Sequence, residues 1–237
     1  LAAAFGAVGV GFGGEMTYGQ TVGFARESAT LAWGLTGLAL KGAVWGLSGG
    51  AFVAAGFAGL PVRRLGVALA AFLVSMALGW AAINEPKLLY FSDRLDRPRE
   101  EVWAGLLLGG LAFAFVLRSV PAMRRFALAG FVGGGLGFGL GGAWIFIGES
   151  VGFETAPWWK LMEFTFGALF GAGLGWAAKD LKPESSALAW PSGNWRTALA
   201  SLPVLAAVFW LEPFVPVRFS YAVVGALLLV AATAWPA

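Results

Sequence analysis

The chain has 237 residues, of which 59% belong to the apolar set and only 12% are charged, with a formal net charge of +3. Soluble domains carry about 25% charged residues to cover their surface, so a chain this apolar belongs in a bilayer. It contains no cysteine and no histidine, which excludes disulfides, thiolate metal sites, imidazole-ligated haem and the imidazole base of hydrolytic triads.

A helix needs about 20 mainly apolar residues to cross the hydrocarbon core. Reading between the charged breaks gives spans at 2–23, 29–59, 65–84, 102–120, 126–147, 159–178, 197–211 and 217–235. The expected fold is therefore an all-α integral membrane protein with about eight transmembrane helices. The strands of a membrane barrel alternate over about 10 residues, and these continuous apolar runs are far longer. The chain opens on Leu1, so the native N-terminus is expected to lie upstream. Residues 1–14 lack the charged leader segment of a signal peptide.

The first span carries Gly9 and Gly13 four residues apart and an acid at Glu15, followed by Tyr18, Gln20 and Thr21. In the second, Lys41 precedes Gly42, Gly46 and Gly50. Calling side B the end where the second span begins, the helical rise puts Glu15 roughly 12 Å and Lys41 about 18 Å from it. A lysine stem bridges that difference, so Glu15 and Lys41 are expected to form a buried ion pair. Spans three and four, like seven and eight, are rich in leucine and alanine and are expected to face lipid. Between them, residues 84–101 (NEPKLLYFSDRLDRPREE) alternate Asp93 and Asp96 with Arg94 and Arg97. Those charges neutralise one another and argue against a metal site. The segment reads as a solvated connector on side B, or as a lid or partner-docking element.

The fifth span repeats the glycine strip at Gly133, Gly137 and Gly141 and ends in Glu149 and Ser150, with Glu154 just beyond. The sixth opens on Trp158-Trp159-Lys160, with the tryptophans as interfacial anchors. It then carries Glu163 and Gly167, Gly171 and Gly175. Lys160 is one turn from Glu163 and within pairing reach. The seventh span is the weakest, short between Arg196 and Glu212 and interrupted by Pro203.

The chain resembles itself. Residues 9–24 read GVGFGGEMTYGQTVGF and residues 137–153 read GFGLGGAWIFIGESVGF, with a shared GxxVGF ending. Gly42–Gly46 likewise lies over Gly167–Gly171 in the next span. This predicts two parallel four-helix repeats, 1–120 and 121–237, related by an axis along the membrane normal. Small residues four apart let helix backbones approach closely, so spans one, two, five and six are expected to form a glycine-packed centre. Lysine and arginine in the loops slightly favour side A as cytoplasmic, with both termini in the cytoplasm of a bacterial-type cell membrane.

Ionisable groups at membrane depth are costly and point to function. The expectation is a transporter or channel for a small polar solute or ion, with its pathway between the repeats. Glu15, Lys41, Glu163 and Glu149 would line it, and Tyr18, Gln20, Thr21, Ser150 and Glu154 would form its side-B entrance. The alternative is a non-catalytic subunit that anchors a larger membrane complex. No nucleophile–base spacing marks an enzyme, and no metal or cofactor is expected. The expected partners are the lipid bilayer and further copies or other membrane subunits. The charge of +3 gives no reason to expect nucleic acid.

Overall fold

The computed structural model describes residues 2–14, 16, 18–92, 101–152, 157–179 and 181, and among these the regular structure is helical throughout. The spans predicted at 197–211 and 217–235 lie outside the described residues. The helices are α1 (Ala2–Gly14), α2 (Gly19–Phe24), α3 (Leu31–Phe57), α4 (Val62–Gly79), α5 (Trp103–Val116), α6 (Met123–Val151) and α7 (Trp158–Ala178). Four of them are long and apolar enough to cross a membrane: α3, α4 with its continuation to Asn84, α6 and α7. Helices α1 and α5 are apolar but shorter.

Local chemistry sets the ends. Pro61 and Pro157 stand immediately before α4 and α7, where a missing N–H costs nothing. Gly152 ends α6 in the left-handed conformation at φ 65°, its N–H bonded to the Gly148 carbonyl. Helix α4 widens into a π-helical turn over Trp80–Asn84, in which the Glu85 N–H reaches back five residues to the Trp80 carbonyl.

Helix α3 is the axis of the bundle. Its apolar stretch is 78% buried, against 44% for α6 and 22% for α7. Three interfaces explain this. On one side α3 meets α6 antiparallel and almost backbone to backbone. A side chain added at Gly42, Gly46 or Gly50 would run into the backbone of Gly134, Gly130 or Phe126. Glycine is required here because no other residue leaves room for the partner's carbonyls. On a second side, Phe12 of α1, Phe52 of α3, Phe72 of α4 and Phe113 of α5 interlock. Phe52 stacks on Phe113 at 4.3 Å between centroids and meets Phe12 edge-on at 5.3 Å. All four rings are buried, and such pairs add about 0.5–1.5 kcal/mol each beyond their buried area. On a third side, Gly37 receives the loop after α4. A Cβ there would lie 2.6 Å from the Phe91 ring and 2.7 Å from Thr21.

Three expectations change. The first span is not one helix: α1 stops at Gly14 and α2 starts at Gly19, with Met16 and Tyr18 non-helical between them. The sixth span, α7, is peripheral among the described residues. Its strip of Gly167, Gly171 and Gly175 faces no described atom within 4 Å. Its packing on α6 instead uses Gly133, Gly137 and Gly141, set against Leu169, Phe166 and Met162. The fourth span, α5, faces outward on one side only: Leu106 and Phe113 are buried in the core, while Leu108, Leu111 and Phe115 are exposed. The two copies of the glycine motif also pack differently. Gly13 sits under Trp45, whereas their counterparts separate: Gly141 meets Met162 and Phe170 meets Gly133.

Candidate functional site: a buried ion pair beneath the side-B loop

Lys41 lies ten residues into α3, about 15 Å along the helix from Leu31, and only 1% of its side chain is exposed. A buried ammonium needs an anion and hydrogen-bond acceptors around it. Its anion is Glu101, at 2.6 Å and with a wholly buried side chain. Lys41 Nζ also donates to Thr21 Oγ1 at 2.8 Å, and Thr21 donates on to the Phe91 carbonyl at 3.0 Å. The Phe91 N–H donates to Glu101 Oε2 at 3.1 Å and the Ser92 hydroxyl to Oε1 at 2.9 Å. One ion pair thus joins α2, α3, the loop at 90–92 and the residues leading into α5.

Apolar walls close this network. The Phe91 ring lies 4.7 Å from Trp33 and 6.1 Å from Trp103, with the Lys41 ammonium 6.0 Å from its centroid. Tyr90, Phe91, Ser92, Glu101 and Val102 are all buried. At these described residues the connector between α4 and α5 is therefore buried rather than solvated. Its two flanks turn inward and plug the side-B end of the bundle. Irregular backbone at such a depth is tolerated when protein covers it. Nearby, Asn84 at the end of the π-helical turn accepts from the N–H groups of Ala104 and Gly105, each at 3.1 Å. It thereby satisfies the first turn of α5, which its own N-cap residue, Val102, leaves open.

One turn away lies an aromatic cluster. Tyr18, at the head of α2, packs against Phe138 at 5.1 Å, Trp159 at 5.9 Å and Trp45 at 6.1 Å. Trp45 is one turn from Lys41 on α3, as Tyr18 is from Thr21 on α2, so the two clusters are stacked. The Trp45 indole N–H donates to the Val10 carbonyl at 2.7 Å near the end of α1. Glu163 borders this cluster and acts electrostatically on the Tyr18 phenol.

The sequence-derived site residues divide accordingly. Lys41 and Thr21 come together, around an acid the sequence reading had placed in a solvated loop. Glu15 and Glu154 lie outside the described residues. Glu163 is exposed and accepts from the Trp159 indole N–H at 2.8 Å, in place of the expected pair with Lys160. Glu149 pairs with Arg26 at 3.3 Å, both half-exposed, at the side-B end of α6. Ser150 is exposed and bonds back to the Phe146 carbonyl of its own helix, and Gln20 is half-buried in α2. The signal for Glu101 was its position directly before the apolar run 102–117, together with the two aromatics Tyr90 and Phe91 embedded in polar sequence. Comparison of the chain with family models, curated proteins and solved structures returned no match.

Proposed function

We propose that the protein is a multi-pass membrane transporter or channel for a small polar solute or ion. The observation that carries this reading is the interruption between α1 and α2, set beside the buried Lys41–Glu101 pair. Discontinuous helices whose free backbone faces charged side chains are a recurrent way to build a solute site inside a bilayer. The path fits the α1–α2 break, past Tyr18, Trp45 and Glu163 toward Lys41, better than the centre. The α3–α6 contact leaves no space there, since the backbones of Gly46 and Gly130 touch. In this reading the loop plug is the closed side-B gate. Glu163 is the exposed acid that attracts a cation or proton, and the pair at Lys41 holds the gate shut. Glu149 stands apart, at the rim.

The test is flux of monovalent ions and small polar solutes into proteoliposomes. Glu163→Gln is expected to reduce flux several-fold, and Lys41→Arg, which keeps the charge but not the geometry, to alter gating. Unchanged flux in both variants would refute these assignments.

A second reading, a non-catalytic subunit of a larger complex, is favoured by one observation. Gly167, Gly171 and Gly175 of α7, with Trp176 56% exposed beside them, face no described neighbour. Co-purification of a stoichiometric partner on gentle detergent extraction, with no flux from the isolated chain, would select it.

A further inference from the structure

A cavity of about 470 Å³ opens at the side-B end, lined by Arg26, Ile145, Gly148, Glu149, Pro157, Trp158 and Trp159. We propose that it binds the headgroup of a zwitterionic phospholipid carrying a phosphate and a primary ammonium, an ethanolamine phosphate.

Three features carry the assignment. First, the wall holds one cation and one anion side by side, Arg26 Nη1 and Glu149 Oε1 at 3.3 Å, with their side chains 57% and 50% exposed. A pair this exposed contributes little to stability, because solvent screens it. It opens at little cost to a ligand that brings both opposite charges. The guanidinium fork matches phosphate oxygens, and the carboxylate accepts from an ammonium. A quaternary ammonium has no N–H to give Glu149, which selects the primary amine. Second, two tryptophans stand in the wall beside Ile145, Gly148 and Pro157. Trp158 lies directly over Gly148, where a Cβ would come within 2.5 Å of its indole, and Trp159 is 38% exposed beside it. Indole faces attract ammonium groups, and tryptophans at a helix start mark the headgroup level of a bilayer.

Third, the cavity adjoins a surface made for chains. On the neighbouring face of α6, Trp144 is 37%, Ile147 39% and Val151 65% exposed. Acyl chains attached to a headgroup in the cavity would lie along these residues, which a free zwitterion would leave bare. This site does not depend on whether the protein conducts. It rests on the cavity, its charge pair and tryptophans, and the apolar face of α6 beside it.

The experiment is native mass spectrometry of the purified full chain titrated with dihexanoyl phosphatidylethanolamine, phosphatidylcholine and phosphatidylglycerol, and with free phosphoethanolamine. Phosphatidylethanolamine is expected to bind about tenfold more tightly than phosphatidylcholine or phosphatidylglycerol, the loss expected for one missing charge-assisted hydrogen bond, and more tightly than free phosphoethanolamine, which has no acyl chains to lay on α6. Glu149→Gln should erase the preference over phosphatidylglycerol. Arg26→Gln should weaken all the phospholipids. Equal affinity for phosphatidylethanolamine and free phosphoethanolamine would overturn the lipid assignment. Equal binding of the three lipids, or a preference that survives Glu149→Gln, would overturn the site. The comparison of four ligands on the unmodified chain decides the matter even where a variant folds poorly.

Discussion

Replacing Lys41 by methionine keeps the length of the side chain and removes its charge, leaving Glu101 buried with only the Phe91 N–H and Ser92 hydroxyl of the described network. At 2.6 Å and an effective dielectric of about 20, Coulomb's law gives roughly 6 kcal/mol of attraction across the pair. Desolvation of two ions consumes much of that, so the net worth of the intact pair is small, while the orphaned partner costs about 3–5 kcal/mol. Lys41→Met and Glu101→Gln are therefore each expected to lose about 4 kcal/mol. The double variant, with no charge left to strand, should lose less than either single one. The coupling energy should therefore exceed about 4 kcal/mol, above the usual range for residues in contact. The assay is unfolding of the full chain in mixed micelles by titration with dodecyl sulfate, followed by far-ultraviolet circular dichroism. Losses that simply add, or single losses below about 1 kcal/mol, would refute the claim that these two charges depend on each other.

Two further predictions concern neighbouring positions of α3 and use the same titration. Gly46→Leu drives a side chain into the Gly130 backbone and should destabilise by about 3 kcal/mol, the upper end of overpacking; a loss under 1 kcal/mol would mean that α3 and α6 are not in backbone contact. Ser48→Ala, two residues on, should instead stabilise by about 1 kcal/mol, because its wholly buried hydroxyl has no hydrogen-bond partner among the described residues and such a group loses its hydration without a bond in return. A clear loss would show that this hydroxyl is bonded after all.

The long spans were legible because length and hydropathy are local properties. Helices α3, α6 and α7 begin and end within about four residues of the apolar runs at 29–59, 126–147 and 159–178. The glycine spacing announced close packing, and Gly42, Gly46 and Gly50 do meet α6. What the spacing could not say was which strip finds a partner. Gly167, Gly171 and Gly175 have the same period and face no described neighbour, because α7 presents its large residues to the glycines of α6 instead. Periodicity identifies a face, whereas the neighbour is a tertiary fact. The interruption of the first span was hidden for a similar reason. Residues 15–18 are no more polar than many helical turns, and the break is fixed by contacts made elsewhere, among them Trp45 with Val10 and Thr21 with Lys41.

The polar site was half legible. A lysine inside an apolar helix demands an anion, and the sequence offered Glu15 at matching depth. The acid that pairs with it in the described structure lies 60 residues away, in a segment whose alternating charges read as solvated. That reading averaged over the loop and missed its asymmetry. The charges at 93–99 are flanked on both sides by residues that bury themselves, Tyr90 and Phe91 before and Glu101 and Val102 after.

This asymmetry has a mechanical consequence under the transport reading. Along α3 and α6 the backbones touch over two turns, from Gly42 to Gly50, and packed backbones have no intermediate positions to occupy. Motion that opens a path must then come from elements held by few contacts. Helix α2 spans only six residues, too few to be stable alone. Among the interactions described, its Phe24 carbonyl accepts from Thr30 at the head of α3, and Thr21 ties it to Lys41 and to the Phe91 carbonyl. The side-B plug is tied through the same residues by way of Glu101. Releasing the ion pair would therefore loosen the Thr21 face of α2 and the plug together, while the glycine-packed pair stays fixed.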